Sequence, residues 1–286
     1  MHMSEYENPP IPEGINVSPT HPLKEFALLL GGVSALLLAV VLSLSLAAGY
    51  LVRFIPFSQE QALASRIEQQ WLKPGSIAQP ERQAYLQDLA NRLSSAMSLP
   101  PAMPIQVHYV DSPTVNAMAT LGGHVVVFQG LIDILPNENA LAMVMAHEIA
   151  HVRHRHPIIA MGRGFTVALA LSSLAGLGDS AVQQWLGSMG MLPLLSFSRE
   201  QEAQSDADAL NGLYRLYGHV RGADALFAHL DAAEKLPQPP AFLNTHPGHQ
   251  DRLKRIQQFA ASHPERNNNP EVLLPTAFRH APSTAK

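Results

Sequence analysis

NENALAMVMAHEIAHVRHRHP, residues 137–157, is the stretch that decides how this chain folds and what chemistry it can carry. Asn137 is a residue type that caps helices, Leu141, Val144, Met145 and Ile149 recur behind it at helical spacing, and Pro157 marks a stop. The pattern predicts one helix over residues 138–156. Inside it, His147-Glu148-Ile149-Ala150-His151 has the form H-E-x-x-H. Positions i and i+4 share a helix face about 5 to 6 Å apart. The imidazoles of His147 and His151 can therefore reach one tetrahedral ion. Glu148, one step round, is placed to take a proton from a water on that ion. The competing reading is a polar helix face that carries these residues by coincidence, and a third ligand decides between them.

A catalytic zinc takes three protein ligands and keeps one position open. A Gly at position 154 and a His at 157 would mark the metzincin pattern, but His154 and Pro157 stand there and exclude it. The next acids are Asp179, Glu200, Glu202, Asp206 and Asp208. Asp179 falls in an apolar stretch. Ser198 with Gln201 forms a capping-box pattern and Gly218 offers a stop, which predicts a helix between them. Glu202 and Asp206, four apart on that helix, project to one side, so that one can bind metal while the other accepts the free N–H of a ligand histidine. The expected site is one Zn²⁺ per chain on His147, His151 and Glu202, with Asp206 supporting it. His154 and His156 are expected to be exposed or helix-end residues, favourable against the helix dipole. His246, in Thr245-His246-Pro247 ahead of a helix bearing Arg252, can either donate to an oxyanion or fill the open metal position, and its spacing leaves both readings open.

The rest of the chain frames this centre. Its 286 residues suit one enzyme-sized domain with appendages. A net charge of -4 without a basic block excludes a nucleic-acid footprint. With no cysteine, neither a disulfide framework nor a thiolate metal site is available, so His and carboxylates must hold any metal. Residues 1–25 are Pro- and Glu-rich and read as a flexible tail. Phe26 to Val52 is almost wholly apolar, and at about 1.5 Å per residue a helix of that length crosses a hydrocarbon core of about 30 Å. A cleaved signal peptide would show about 7 to 15 apolar residues after a basic start, whereas this run is longer and Glu25 precedes it. The lipid bilayer is therefore an expected partner. Lys24 on one side against Arg53 and Arg66 on the other leaves the orientation open.

Beyond the span, residues 53–262 are expected to form the catalytic domain. Residues 81–97 read as an amphipathic helix, and Ile105, Val107 and Tyr109 alternate as in a strand. Residues 116–120 and 124–128 flank the Gly122-Gly123 turn as a hairpin. The expected fold is α+β: mainly helical, with a small antiparallel sheet. Residues 158–197 read as a helical hairpin packed on the domain rather than dipping into a membrane. Shorter helices follow near 222–235 and 250–261, and residues 263–286 read as a disordered tail.

In Asn116-Ala117-Met118-Ala119 with Gly122-Gly123-His124, in His147 to His156, in Ser198 to Asp206, and in Thr245-His246-Pro247 with Arg252, the chain resembles the M48 peptidases, which include the CAAX prenyl protease and heat-shock-type membrane proteases. The resemblance covers roughly residues 60 to 260 and implies a zinc endopeptidase of the glutamate-zincin fold. In that fold Glu202 is the third ligand, Asp206 and Arg252 support the site, and His246 takes part in catalysis. Ser205 stands where the family commonly has Ala. One span instead of several is closer to single-anchor or soluble bacterial members of the family, and with the anchor the resemblance implies a bacterial inner-membrane location. In related zincins the substrate lies as an added strand on the sheet edge. The candidate edge is Gly122 to Phe128, with Gly122, Gly123, His124, Val125 and Val126 contacting substrate. Unfolded or extended protein segments would then be cut in quality control. The alternative is a non-hydrolytic zinc-stabilised module that escorts or assembles envelope proteins, its open position plugged by His246.

Overall fold

The expected helix forms and becomes the centre of the domain, because its small residues allow neighbours to close on every side. In the computed structural model, which describes residues 22–71, 79–175, 197–233, 240–246, 249–266 and 269–278, it runs Glu138–Arg153, here α5. Asn137 caps it by accepting the Ala140 N–H at 2.9 Å. Every residue from Glu138 to Val152 is buried. Leu141, Met145 and Ile149 are fully so, each contributing about 1.5–3 kcal/mol by burial.

Ahead of α5 come α1 (Pro22–Leu51), α2 (Phe57–Trp71), α3 (Pro80–Ala96), β1 (Gln106–Val110), β2 (Ala117–Ala119), β3 (His124–Phe128) and the short α4 (Gln129–Ile134). After it come α6 (His156–Ala175), α7 (Arg199–Tyr217), α8 (Ala225–Ala233), α9 (Ala241–Thr245) and α10 (His249–Ser262). The chain divides into two units, Met1–Leu44 and Ser45–Lys286. In the first, the described residues are helical and highly apolar. The segment Pro22–Phe54 is long and apolar enough to cross a membrane, with a mean hydropathy of 2.6 and no part of its most apolar stretch buried. The expected tail falls mostly on residues 1–21, outside the described residues.

In the second unit α5 packs against α7, α3 and β2. The sheet has the order β1-β3-β2. The hairpin of β2 and β3 is antiparallel as expected, with Ala119 opposite Val125, but β1 joins β3 in parallel, Gln106 opposite His124, so the sheet is mixed. This corrects the candidate substrate edge. β3 is hydrogen-bonded on both sides, so Val125 and Val126 cannot take an added strand. Gly122 and Gly123 are buried at the turn before it, where a Cβ on Gly122 would meet the Ala64 Cβ at 2.7 Å. His124 is buried and its Nδ1 lies 2.7 Å from His108 Nε2. Among the described residues the outer strands of the sheet are β1 and β2.

Two further expectations change. Pro157 does not end α5: Arg155 adopts φ 58° and breaks the helix, and Pro157 lies in the first turn of α6, where a missing N–H costs nothing. The second half of the hairpin expected over 158–197 lies largely outside the described residues. Finally, residues 269–278 are not a loose tail. Leu274 and Phe278 are buried in the core, and Val272 accepts the Glu138 N–H at 2.7 Å and donates to Asn139 Oδ1 at 2.8 Å.

Candidate metal centre

Two capped helices bring the site together. On α5, His147 and His151 lie one turn apart with their Nε2 atoms 2.9 Å from each other. On α7 the Ser198–Gln201 capping box fixes the first turn. That orientation sends Glu202 towards both histidines, 3.3 Å from His147 Nε2 and 3.5 Å from His151 Nε2. His246, at the end of α9, completes the group, its Nδ1 3.0 Å from Glu202 Oε1 and 3.2 Å from His147 Nε2. Ligand atoms of His147, His151, Glu202 and His246 all lie within 4.8 Å of one another, and all four residues are buried.

Around this group lie further charged side chains. Asp206 Oδ1 lies 3.0 Å from His147 Nδ1, which leaves the Nε2 lone pair facing the cluster when Nδ1 carries the proton. Arg252, wholly buried, donates to Glu202 Oε2 at 2.9 Å and to Asp206 Oδ1 at 2.5 Å, with its guanidinium 4.4 Å over the Phe227 ring. Arg255 donates to the other Asp206 oxygen at 2.8 Å. Glu148, fully buried, accepts the Ala119 N–H at 2.7 Å through one oxygen. Its other oxygen lies 3.3 Å from His246 Nε2, and both atoms are buried with no hydrogen-bond partner among the described residues.

Electrostatics favour a cation here. Burial opposes charge on Glu202 and on Asp206, yet His246 and His147 hold the first, and Arg252 and His147 the second, well below the ordinary carboxylate range. Burial and Arg252 push the His147 imidazolium down, but Glu202 and Asp206 outweigh them and hold it up to about 9. Burial drives His151 well below its ordinary value and raises Glu148. A pocket with three buried carboxylates draws positive charge. Its nitrogen and oxygen donors are those zinc takes, and the two orphaned atoms of Glu148 and His246 lie beside the ligand group, so the residues present fit a zinc ion.

The structure thus gathers His147, Glu148, His151, Glu202, Asp206, His246 and Arg252 at one place. The candidate substrate residues His124, Val125 and Val126 lie on β3, the central strand of the sheet. Two residues at the site escaped sequence reasoning. His156, expected at an exposed helix end, is buried with its Nδ1 2.9 Å from His151 Nδ1, and burial lowers it to about 4. Phe197 stacks on the His151 ring at 4.0 Å. Neither has a signature, since Pro157 disguised the first and the second is one apolar residue ahead of a cap. His154 pairs instead with Asp208 at 2.8 Å.

Fold and site together define a helical domain built round a buried His-His-Glu-His centre. The chain belongs to Peptidase family M48, whose profile matches residues 80–260, and the peptidases of this family depend on zinc. Among similar proteins, the mitochondrial metalloendopeptidase OMA1 of Schizosaccharomyces pombe is 34% identical over 159 residues, 54% of this chain and 46% of that protein. The beta-barrel assembly-enhancing protease of Escherichia coli K12 is 31% identical over 192 residues, 62% of this chain and 38% of its own length. Metalloendopeptidase OMA1 of Danio rerio is 28% identical over 171 residues, 55% of this chain and 36% of that protein. The chain thus spans less than half the length of these relatives.

Proposed function

We propose that the chain is a membrane-anchored zinc endopeptidase that hydrolyses peptide bonds in extended or unfolded protein segments. The observation that carries this reading is the buried cluster of His147, His151, Glu202 and His246 with the unpartnered oxygen of Glu148 beside it. His147, His151 and Glu202 would hold the ion. Zinc in that position supplies a Lewis acid that lowers the pKa of a water towards about 7 and polarises a carbonyl. Glu148 takes the proton at Oε1 and passes it to the leaving amine. Its Oε2 stays fixed by Ala119, so the accepting oxygen is held in one direction.

His246 Nδ1 faces Glu202 and its Nε2 faces Glu148, a position that supports two roles: filling the open position in the resting chain, and donating to the oxyanion once substrate has entered. Asp206 and Arg252 keep the ligands in register. Substrate would add along β2, the outer strand whose Ala119 meets the general base. Backbone pairing of that kind gives affinity with loose sequence preference, as quality control of unfolded clients requires.

Phe26 to Val52 serves as the single anchor in this reading, residues from 53 onward form the catalytic unit, and the bacterial inner membrane is the proposed location. The protease of Escherichia coli is named for beta-barrel assembly, which makes envelope proteins the client class to try first. Carbonate washing should leave the full-length chain in the membrane, and its release would remove the anchor from the account. Purified full chain should degrade unfolded casein, lose that activity to a zinc chelator and regain it on adding zinc. Casein left intact by zinc-loaded protein would overturn the hydrolytic reading in favour of an escort module.

A further inference from the structure

We infer that Glu60 of α2 is a positioning residue, a clamp that ties the segment following the apolar span to both halves of the catalytic apparatus. Glu60 is almost wholly buried although it is a carboxylate on a short helix remote in sequence from the metal centre. Such a group is retained only when paired, and its partners are specific. Oε1 accepts the Gly122 N–H at 3.0 Å, while Oε2 accepts from Arg155 Nε at 2.9 Å and from its Nη2 at 2.6 Å. The third arm of Arg155, Nη1, donates to the Ile55 carbonyl, and the guanidinium lies 5.7 Å from the Phe57 ring.

Each partner stands one short step from the chemistry. Arg155 holds φ 58°, a left-handed conformation that costs a β-carbon-bearing residue free energy, at the corner between α5 and α6. The next residue, His156, is thereby turned inward against His151. Gly122, at φ 71°, lies in the turn between β2 and β3, three residues from the Ala119 N–H that fixes Glu148. A Cβ at Gly122 would strike Ala64 and Gln61 of α2, so helix and turn are in direct contact. Val52, Ala64, Leu121, Ile158 and Ile159 form a small second core around this clamp, separate from the main one. One carboxylate thus sets the corner after the metal-bearing helix and the turn before the central strand, and a shift in α2 moves both.

The hydrolytic part of the test rests on the proposed function; the spectroscopic part does not. Glu60→Gln keeps the shape and an acceptor for Gly122 but removes the ion pair. Arg155→Gly removes the pair while relieving the backbone. In the purified full chain, each should lower kcat on casein at least tenfold, since small misplacements of reacting groups have effects of that order. KM and bound zinc should hold, and the double variant should fall no further than the worse single one. Arg155→Lys, which keeps the charge and loses the fork, should lie between. With Co²⁺ in place of zinc, the visible bands should shift in Glu60→Gln and Arg155→Gly, reporting a displaced His151. Variants that melt earlier yet keep the wild-type kcat and cobalt bands would show a merely structural pair and overturn the inference. Wild-type protein inert on casein would sink the peptidase reading alone, and the cobalt bands would still decide for or against the clamp.

Discussion

Replacing Arg252 with Met should destabilise the metal-free protein more than the zinc-loaded one. Met keeps an unbranched stem against Phe227 but removes two buried charge-assisted hydrogen bonds, to Glu202 at 2.9 Å and to Asp206 at 2.5 Å. Such bonds contribute about 1.5–3 kcal/mol each, so about 6 kcal/mol is the upper limit. Asp206 keeps Arg255 and His147, and Glu202 keeps His246, which brings the expected loss to about 3 kcal/mol without metal. In a domain of this size that lowers Tm by about 6–12 °C. With zinc present Glu202 regains a cation, and the drop should shrink by about half. Scanning calorimetry of the detergent-solubilised chain, with EDTA and with excess zinc, reads both numbers. Equal drops in the two conditions, or none in EDTA, would refute the idea that Arg252 balances the charge of an otherwise cation-seeking pocket.

Asp206→Asn should weaken zinc about 10- to 100-fold by leaving His147 without its orienting carboxylate, measured by competition with a chromogenic chelator; unchanged affinity would remove Asp206 from the support of the site. Glu138 sits at the first turn of α5, where it accepts from Tyr85, from Tyr217 at 2.7 Å and from Arg92 at 2.8 Å. Burial would raise its pKa, but these donors outweigh burial and hold it below the ordinary value of 4.5. A depressed carboxylate contributes stability above its unfolded pKa and loses it as pH falls through the folded value. Glu138→Gln should therefore cost about 1–3 kcal/mol in urea unfolding at neutral pH and flatten the loss of stability below pH 4.5, whereas a parallel pH curve would contradict this.

Local signals were the legible ones. Asn137, Ser198 and Gln201 mark helix starts through bonds to their own backbones, so α5 and α7 were placed from sequence, and with them His147, His151, Glu202 and Asp206. Sheet neighbours are a non-local matter. Alternation in residues 105–109 marks a strand but cannot say that it pairs with β3 in parallel, which makes β3 the central strand and not an edge. Pro157 read as a stop because a proline opening the next helix looks the same in sequence, and that hid His156. His246 is visible in Thr245-His246-Pro247 ahead of a helix bearing Arg252, with its role left open by spacing, and the structure brings it to 3.0 Å from Glu202. Glu60 carried no signal, since its partners, Gly122 and Arg155, lie far along the chain.

Glu148→Gln is the variant that tests the central claim most directly, measured as casein hydrolysis and bound zinc on the same preparation. Gln keeps the size of the side chain and can still accept the Ala119 N–H, but it cannot take a proton. General-base catalysis contributes about 10²- to 10⁴-fold, so the rate should fall by at least about two orders of magnitude with one zinc still bound per chain. Glu202→Gln, by contrast, should lose zinc and recover part of its activity in excess metal. Near-normal hydrolysis by Glu148→Gln, or equal loss of zinc from both variants, would contradict the account.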